Sequence, residues 1–249
     1  MNTSNFYPLS FSSIKNFATS PAHFIAYKNR EQHETPAMRF GTAVHAAILE
    51  PREFTKNYKV LEVRRGTKAY KELVEAHPKA IWLSPAEYNE IQKIKDAVEA
   101  HPIASKILKD CIAYEEELKG SISGVPFRGF ADGFSSKYCV DLKTCQKGAP
   151  REFTSDSYRQ KYHIQGYIYC RLLEETLGHE IKEHWIIALE KTSPYVVTCY
   201  KLTPEIIQRG KQELEELLKK FKTWNGEATG YDQASTFGYF DLDVPAWAI

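Results

Sequence analysis

Two short runs carry the residue types that metal-assisted phosphodiester hydrolysis needs. They are Gly129-Phe130-Ala131-Asp132-Gly133 and Val140-Asp141-Leu142-Lys143-Thr144. Asp141 and Lys143 are two apart on a β-rich stretch, so both side chains leave one face of a strand. Asp132 lies at the end of the preceding β-rich stretch, and a hairpin joining the two brings both aspartates within reach of a shared ion. Carboxylate oxygens are hard ligands that suit Mg²⁺, which keeps several waters and binds through one or two carboxylates. Lys143 then has a use, because an ammonium beside a metal site orients the nucleophile and offsets charge developing at phosphorus. Taken alone, Asp-x-Lys is a common tripeptide, equally at home on a solvated strand face.

Further residues bear on the same chemistry. One of Glu115, Glu116 and Glu117 should face inward from the strand before the hairpin. Alternation sets Glu116 opposite its two neighbours, and Glu116 is chosen as the third acidic ligand. His45 lies in a helix among Ala43, Ala46 and Ala47. Such a histidine is usually a hydrogen-bonded core residue, yet neutral imidazole binds divalent metals and small neighbours allow close approach. Gln165 and Tyr169 are i and i+4 on a helix, hence neighbours on one face. Arg64, Arg65 and Lys68, with Lys71, form a basic cluster able to meet phosphates away from the metal, and the ordinary alternative is a solvated loop. Both Asp141 and Lys143 are expected to be reachable by solvent.

The elements that must position these residues can be read from capping and periodicity. Ser10 or Ser12 caps a first helix carrying Ile14 and Phe17, and Ser20-Pro21 restarts another. A helix after Gly41 runs from Thr42 to Leu49 and stops at Pro51. Residues 52–84 are mixed. Ser84-Pro85-Ala86-Glu87 is a capping box opening a long helix that Pro102 interrupts. The period then changes, with strands over Tyr114–Ser121, Val125–Phe134 and Tyr138–Thr144, separated by Ser123-Gly124 and Ser135-Ser136, in antiparallel hairpins. A helix follows from Ser157 to Leu177, closed by Gly178. Strands over His184–Leu189 and Tyr195–Leu202 precede a helix from Pro204 to Trp224, and the Asp241–Pro245 tail shows no regular element. This order is an α/β fold with N-terminal helical additions. The chain is treated as one domain: residues 1–110 mainly helical, 111–203 holding the sheet and the Gln165 helix, 204–249 a helix and tail.

Composition limits the function classes. Lys plus Arg number 33 against 32 Asp plus Glu, a net charge of +1, so a nonspecific nucleic-acid coater is disfavoured and DNA contact must rest on a local basic patch or on bound metal. The five cysteines form no C-x-x-C pair, which disfavours structural zinc and a disulfide framework. Reduced thiols, an N-terminus unlike a signal peptide, and the lack of a long apolar run make a cytoplasmic protein the expectation, with no membrane partner.

The ordered set Asp132, Asp141-Leu142-Lys143 and Gln165-Gly166-Tyr167-Ile168-Tyr169 resembles the D…(D/E)-x-K…Q-x-x-x-Y pattern of PD-(D/E)xK nucleases of the RecB-like branch. Gly41-Thr42-Ala43-Val44-His45 resembles the G-x-x-x-H motif upstream in that branch. Ser20-Pro21-Ala22-His23-Phe24, Phe40 to Pro51, and Arg64-Arg65-Gly66-Thr67-Lys68 are similar to the RecE-type, exodeoxyribonuclease VIII-like enzymes of phages and prophages. The resemblance covers about residues 8 to 190 and implies the nuclease core, a mixed central sheet flanked by helices. It places His45, Asp132, Asp141 and Lys143 at metal and catalytic positions, adds the Leu142 carbonyl as a ligand, and assigns Gln165 and Tyr169 to the last motif. It further implies Mg²⁺, with Mn²⁺ as a substitute, and 5′→3′ degradation of linear double-stranded DNA. The 3′ single-stranded tails would serve a single-strand annealing protein in recombination, and the enzyme would be a ring-shaped homo-oligomer in the bacterial host. Iron–sulfur relatives carry a Cys before the early proline and a C-terminal Cys cluster. Ser20 stands before Pro21 here, so no iron–sulfur centre is expected. Two rivals remain: a structure-selective or single-strand endonuclease on the same core, and a non-catalytic phage protein that binds DNA or a recombinase.

Overall fold

The computed structural model describes residues 6–30, 35–64 and 66–231. Its N-terminal half is built from short helices, α1 (Phe11–Thr19), α2 (Pro21–Asn29), α3 (Pro36–Leu49) and α4 (Pro51–Asn57), then β1 (Tyr58–Val60), α5 (Lys68–Ala76), β2 (Ile81–Leu83), α6 (Pro85–Ala100) and α7 (Pro102–Lys109). The second half runs β3 (Ala113–Ile122), β4 (Val125–Phe134), β5 (Tyr138–Cys145), α8 (Pro150–Arg159), α9 (Tyr162–Leu177), β6 (Glu183–Glu190), β7 (Val197–Lys201) and α10 (Pro204–Thr223). Many of the helices open on a proline, where the missing N–H costs nothing and the fixed φ is already helical. Ser20, Thr35, Ser84 and Thr203 each accept a backbone N–H just ahead of such a proline.

β3 to β7 form one mixed sheet in sequential order, with β5 and β6 parallel and the other neighbours antiparallel. The β5-to-β6 crossover is made by α8 and α9, as a parallel pair requires. On one face, Ile164, Ile168 and Leu172 of α9 pack with Leu118, Phe127 and Ala131, joined by Phe17, Phe24 and Phe221 from α1, α2 and α10. On the other, Ala43, Val44 and Ala47 of α3 and Ile91 and Ile94 of α6 cover Val140, Leu142, Ile187 and Leu189. β6 is therefore apolar on both sides, the pattern of a central strand.

Several boundaries differ from the sequence reading. α3 begins at Pro36, ahead of Thr42, because Thr35 supplies the cap. Residues 52–84 resolve into α4, α5 and a small parallel pair, β1 with β2. The helix expected from Ser157 to Leu177 is two helices, broken where Lys161 adopts a left-handed conformation (φ 60°, ψ 36°). The last strand starts at Val197, since Tyr195 also takes positive φ. The Asp241–Pro245 tail lies outside the described residues.

Candidate active site

The site grows from one two-residue turn. Ser123 and Gly124 both have positive φ, 52° and 74°, the geometry that matches the twist of paired strands. That turn sets the register: Ile122 faces Val125, Glu116 faces Ala131 and Tyr114 faces Gly133. Glu115 and Asp132 are left opposite each other between the last two pairs. The β4–β5 ladder consists of Phe134 with Cys139 and Gly133 with Val140. The next opposed positions are Asp132 and Asp141, where the strands part. The Leu142 N–H donates to Asp132 Oδ2 at 2.7 Å, so the carboxylate replaces the missing ladder bond.

At this row the strands exchange faces. Leu118, Ile122, Phe127 and Ala131 belong to the core under α9, whereas Tyr114 packs in the core under α3 and Gly133 abuts Tyr114 and Val140. Glu115 sits at the exchange with φ 49°, a left-handed conformation that a non-glycine residue adopts at a cost. Its carboxylate thereby meets α3, with Oε1 3.9 Å from His45 Nδ1, while Asp132 Oδ2 is 3.6 Å from the same nitrogen. One ligand atom from each of His45, Glu115 and Asp132 lies within 4.8 Å of the others.

Glu116, expected as the third acidic ligand, is exposed and outside this group. Parity with the neighbouring apolar residues does not decide among the three glutamates, and the face exchange brings Glu115 in. The signal was present in the sequence: a two-residue turn at Ser123-Gly124 pairs position 115 with position 132.

Asp141 stands beside the cluster but outside it among the described residues. It is buried at 6% exposure, which corrects the expectation of a solvent-reachable carboxylate. Its Oδ1 accepts a hydrogen bond from Gln165 Nε2 at 2.8 Å, and Lys143 Nζ lies 2.6 Å from Oδ2. That close approach is a charge-assisted contact, and it helps to hold the lysine in its charged form. Lys143 also lies over the Tyr162 ring, 5.0 Å from its centre. Tyr162 was missed in the sequence, although it shares the helix face of Gln165 and Tyr169. Tyr169 crosses β4 where Gly129 leaves room, since a Cβ there would come within 3.0 Å of the ring.

The electrostatics follow from crowding four carboxylates. Burial, then Asp132, Glu50 and Asp141, push the Glu115 carboxyl up to about 7. Burial and Asp141 raise Asp132 to about 6 against the opposing pull of His45 and Lys143. Burial works to lower the Lys143 ammonium, but Asp141 and Asp132 outweigh it and the net direction is up, so it stays charged. The Tyr169 hydroxyl is raised by burial and by the same two aspartates, so it remains a phenol. His45, Glu50, Glu115, Lys143 and Thr144 line a cleft of about 830 Å³. A concavity of about 890 Å³ on the α7 side, bordered by Ile107, Tyr138 and Trp185, carries none of these groups.

Among family models, one described as a PDDEXK-like domain of unknown function (DUF3799) matches residues 10–232. The chain belongs to this PDDEXK-like family. A Eubacterium rectale structure named "Putative exonuclease" shares 14% identity, with a TM-score of 0.59 over 89% of this chain and 86% of that one. A structure named SSO0001 shares 15% identity over 75% of this chain and 88% of the other, with a TM-score of 0.30. No curated protein matches the sequence. The mixed sheet between two helical layers is the architecture expected of a PDDEXK-like domain.

Within this PDDEXK-like domain the donor set suits a hard divalent cation, with one imidazole nitrogen and two carboxylates. Neighbouring carboxylates that push each other's pKa upward lack sufficient positive charge, and a divalent ion offsets that repulsion. The basic cluster is elsewhere: Arg64 is exposed, Lys68 opens α5 and pairs with Glu72 at 3.7 Å, and neither lines the cleft. Arg65 lies outside the described residues. Among the described residues, no helix is long and apolar enough to cross a membrane.

Proposed function

We propose that this PDDEXK-like domain is a Mg²⁺-dependent exodeoxyribonuclease that degrades linear double-stranded DNA, 5′→3′, to leave 3′ single-stranded tails. The observation that carries the reading is the convergence of His45, Glu115 and Asp132 beside the Asp141–Lys143 pair at the point where β4 and β5 part. The family description and the exonuclease name of the Eubacterium rectale neighbour support it. So does the RecE-type resemblance, which also motivates a single-strand annealing partner and a ring-shaped oligomer.

His45, Glu115 and Asp132 would hold the metal, with Asp141 and the Leu142 carbonyl completing the set. When bound, Mg²⁺ or Mn²⁺ supplies Lewis-acid polarisation of a phosphate oxygen and acidification of water. The chain's own contribution is positional. Gln165 fixes Asp141 through Oδ1, which leaves Oδ2 toward Lys143. Lys143, kept charged by the two aspartates, presents N–H donors to charge developing on phosphate oxygens. Asp132 anchors the backbone at Leu142 and so sets where its carbonyl lies.

The test is Mg²⁺ digestion of blunt linear duplex labelled separately at each 5′ and 3′ end, beside covalently closed circular DNA. Early release of the 5′ label, with circles spared, is expected, and Lys143→Ala should reduce the rate at least a thousandfold. Cutting of circles moves the assignment to an endonuclease on the same core. No Mg²⁺-dependent release from any substrate refutes catalysis.

A further inference from the structure

We propose that Lys15 and Lys161, beside Lys143, bind the phosphate that neighbours the hydrolysed one on the same DNA strand. The inference rests on the nuclease reading and adds the path of the strand across the protein.

Three separate elements bring these lysines together. Lys15 leaves the middle of α1, Lys143 leaves β5, and Lys161 is, with Gln160, one of two residues between α8 and α9. Gln160 ties the first to the third, since Lys15 Nζ donates to Gln160 Oε1 at 2.5 Å. Tyr162 ties the third to the second, because it follows Lys161 directly and carries Lys143 over its ring. The site lysine at 143 is thus continuous with a cationic edge formed by 15 and 161.

The charge on this edge is unevenly compensated within the chain. Lys143 has Asp141, and Lys161 lies 3.6 Å from a Glu213 that also serves His163 and Arg209. Among the described residues Lys15 has no carboxylate partner; it donates to the neutral Gln160 amide and lies 6.0 Å from the centre of the Phe11 ring. Burial, then the proximity of Lys143 and Lys161, lower the Lys15 ammonium's pKa, so the chain holds the Lys15 charge at a cost. A phosphodiester placed among them offsets that repulsion.

The backbone at 161 points the same way. A left-handed residue between two helices is met most cheaply by glycine or asparagine, and a lysine there costs roughly 1 kcal/mol. The Lys161 side chain is 31% exposed, so its ammonium can reach a substrate phosphate from beside Glu213. Among the described residues, the expected Arg64 and Lys68 do not line the cleft.

The test is equilibrium binding of a fluorescein-labelled linear duplex to the full chain in chelator, over a range of salt. Variants are Lys15→Gln, Lys161→Gln, the charge-preserving Lys15→Arg, and Lys219→Gln on the exposed surface of α10 as control. Loss of one phosphate contact should reduce the slope of log K against log salt by about 0.9, which is roughly eightfold weaker binding at 0.1 M. Both Gln variants should show this and should raise KM in Mg²⁺ more than they lower kcat, while Lys15→Arg and Lys219→Gln stay near the parent. Circular dichroism of each variant separates a lost contact from a lost fold. If the parent digests DNA yet both well-folded Gln variants keep its affinity and salt slope, this inference alone is overturned. If the parent neither binds nor digests DNA, the nuclease reading falls and the inference with it.

Discussion

Asp132→Asn should make the metal-free protein more stable while removing its activity. The Asp132 carboxyl is raised from 3.8 to about 6 in the folded chain by burial and by Asp141. A folded pKa above the unfolded one means the native state holds its proton more tightly. Stability is therefore lost as pH rises through the window from about 4 to about 6, and the full deficit persists above it. Two units correspond to ~3 kcal/mol at most, and sharing of the repulsion with Glu115 and Asp141 brings the expected gain to about 1.5–3 kcal/mol. The side chain is 13% exposed, so solvent screening removes little of it. Asparagine keeps an oxygen for the Leu142 N–H and deletes the charge. In chelator at pH 8, thermal unfolding followed by circular dichroism should show a melting temperature higher by roughly 3–10 °C. The gain should fall to about half near pH 5, to about a fifth near pH 4, and vanish below about pH 3, where the carboxyl is neutral in both the folded and the unfolded chain. A variant no more stable than the parent at pH 8, or a gain that ignores pH, refutes the account of carboxylate crowding.

Other outcomes follow from the same geometry. Mg²⁺ or Mn²⁺ should raise the melting temperature of the parent at pH 8, Glu115→Gln should abolish most of that rise, and Glu116→Gln should leave it intact. Titration calorimetry should show metal affinity falling as pH drops below about 7, because protons on Glu115 (about 7) and Asp132 (about 6) compete with the ion. An affinity flat between pH 8 and pH 5.5 counts against both carboxylates as ligands. Gln165→Ala leaves Asp141 Oδ1 unpaired in a buried position, a loss of about 1–3 kcal/mol in positioning, and the DNA-cleavage rate should fall about 10- to 100-fold. Gly129→Ala drives a methyl to 3.0 Å from Tyr169 and should lower stability by about 1–3 kcal/mol, measured by urea unfolding.

Much of the scaffold is written locally. Ser-Pro and Thr-Pro steps mark helix starts because capping and a fixed φ are properties of neighbouring residues. Ser123-Gly124 marks a tight hairpin for the same reason, and it carried enough information to oppose position 115 to position 132. Asp132, Asp141, Lys143, Gln165 and Tyr169 were recognisable as a set because their types and order are a linear pattern. Three things were decided only by the folded chain. The exchange of faces at Glu115 depends on where β3 lies relative to α3, and alternation within one strand contains no record of it. The break at Lys161 depends on tertiary contacts that hold a non-glycine residue in a left-handed turn. The meeting of Lys15 with Lys143 and Lys161 joins residues far apart in sequence, and charge proximity of that kind exists only once α1, β5 and α9 have packed.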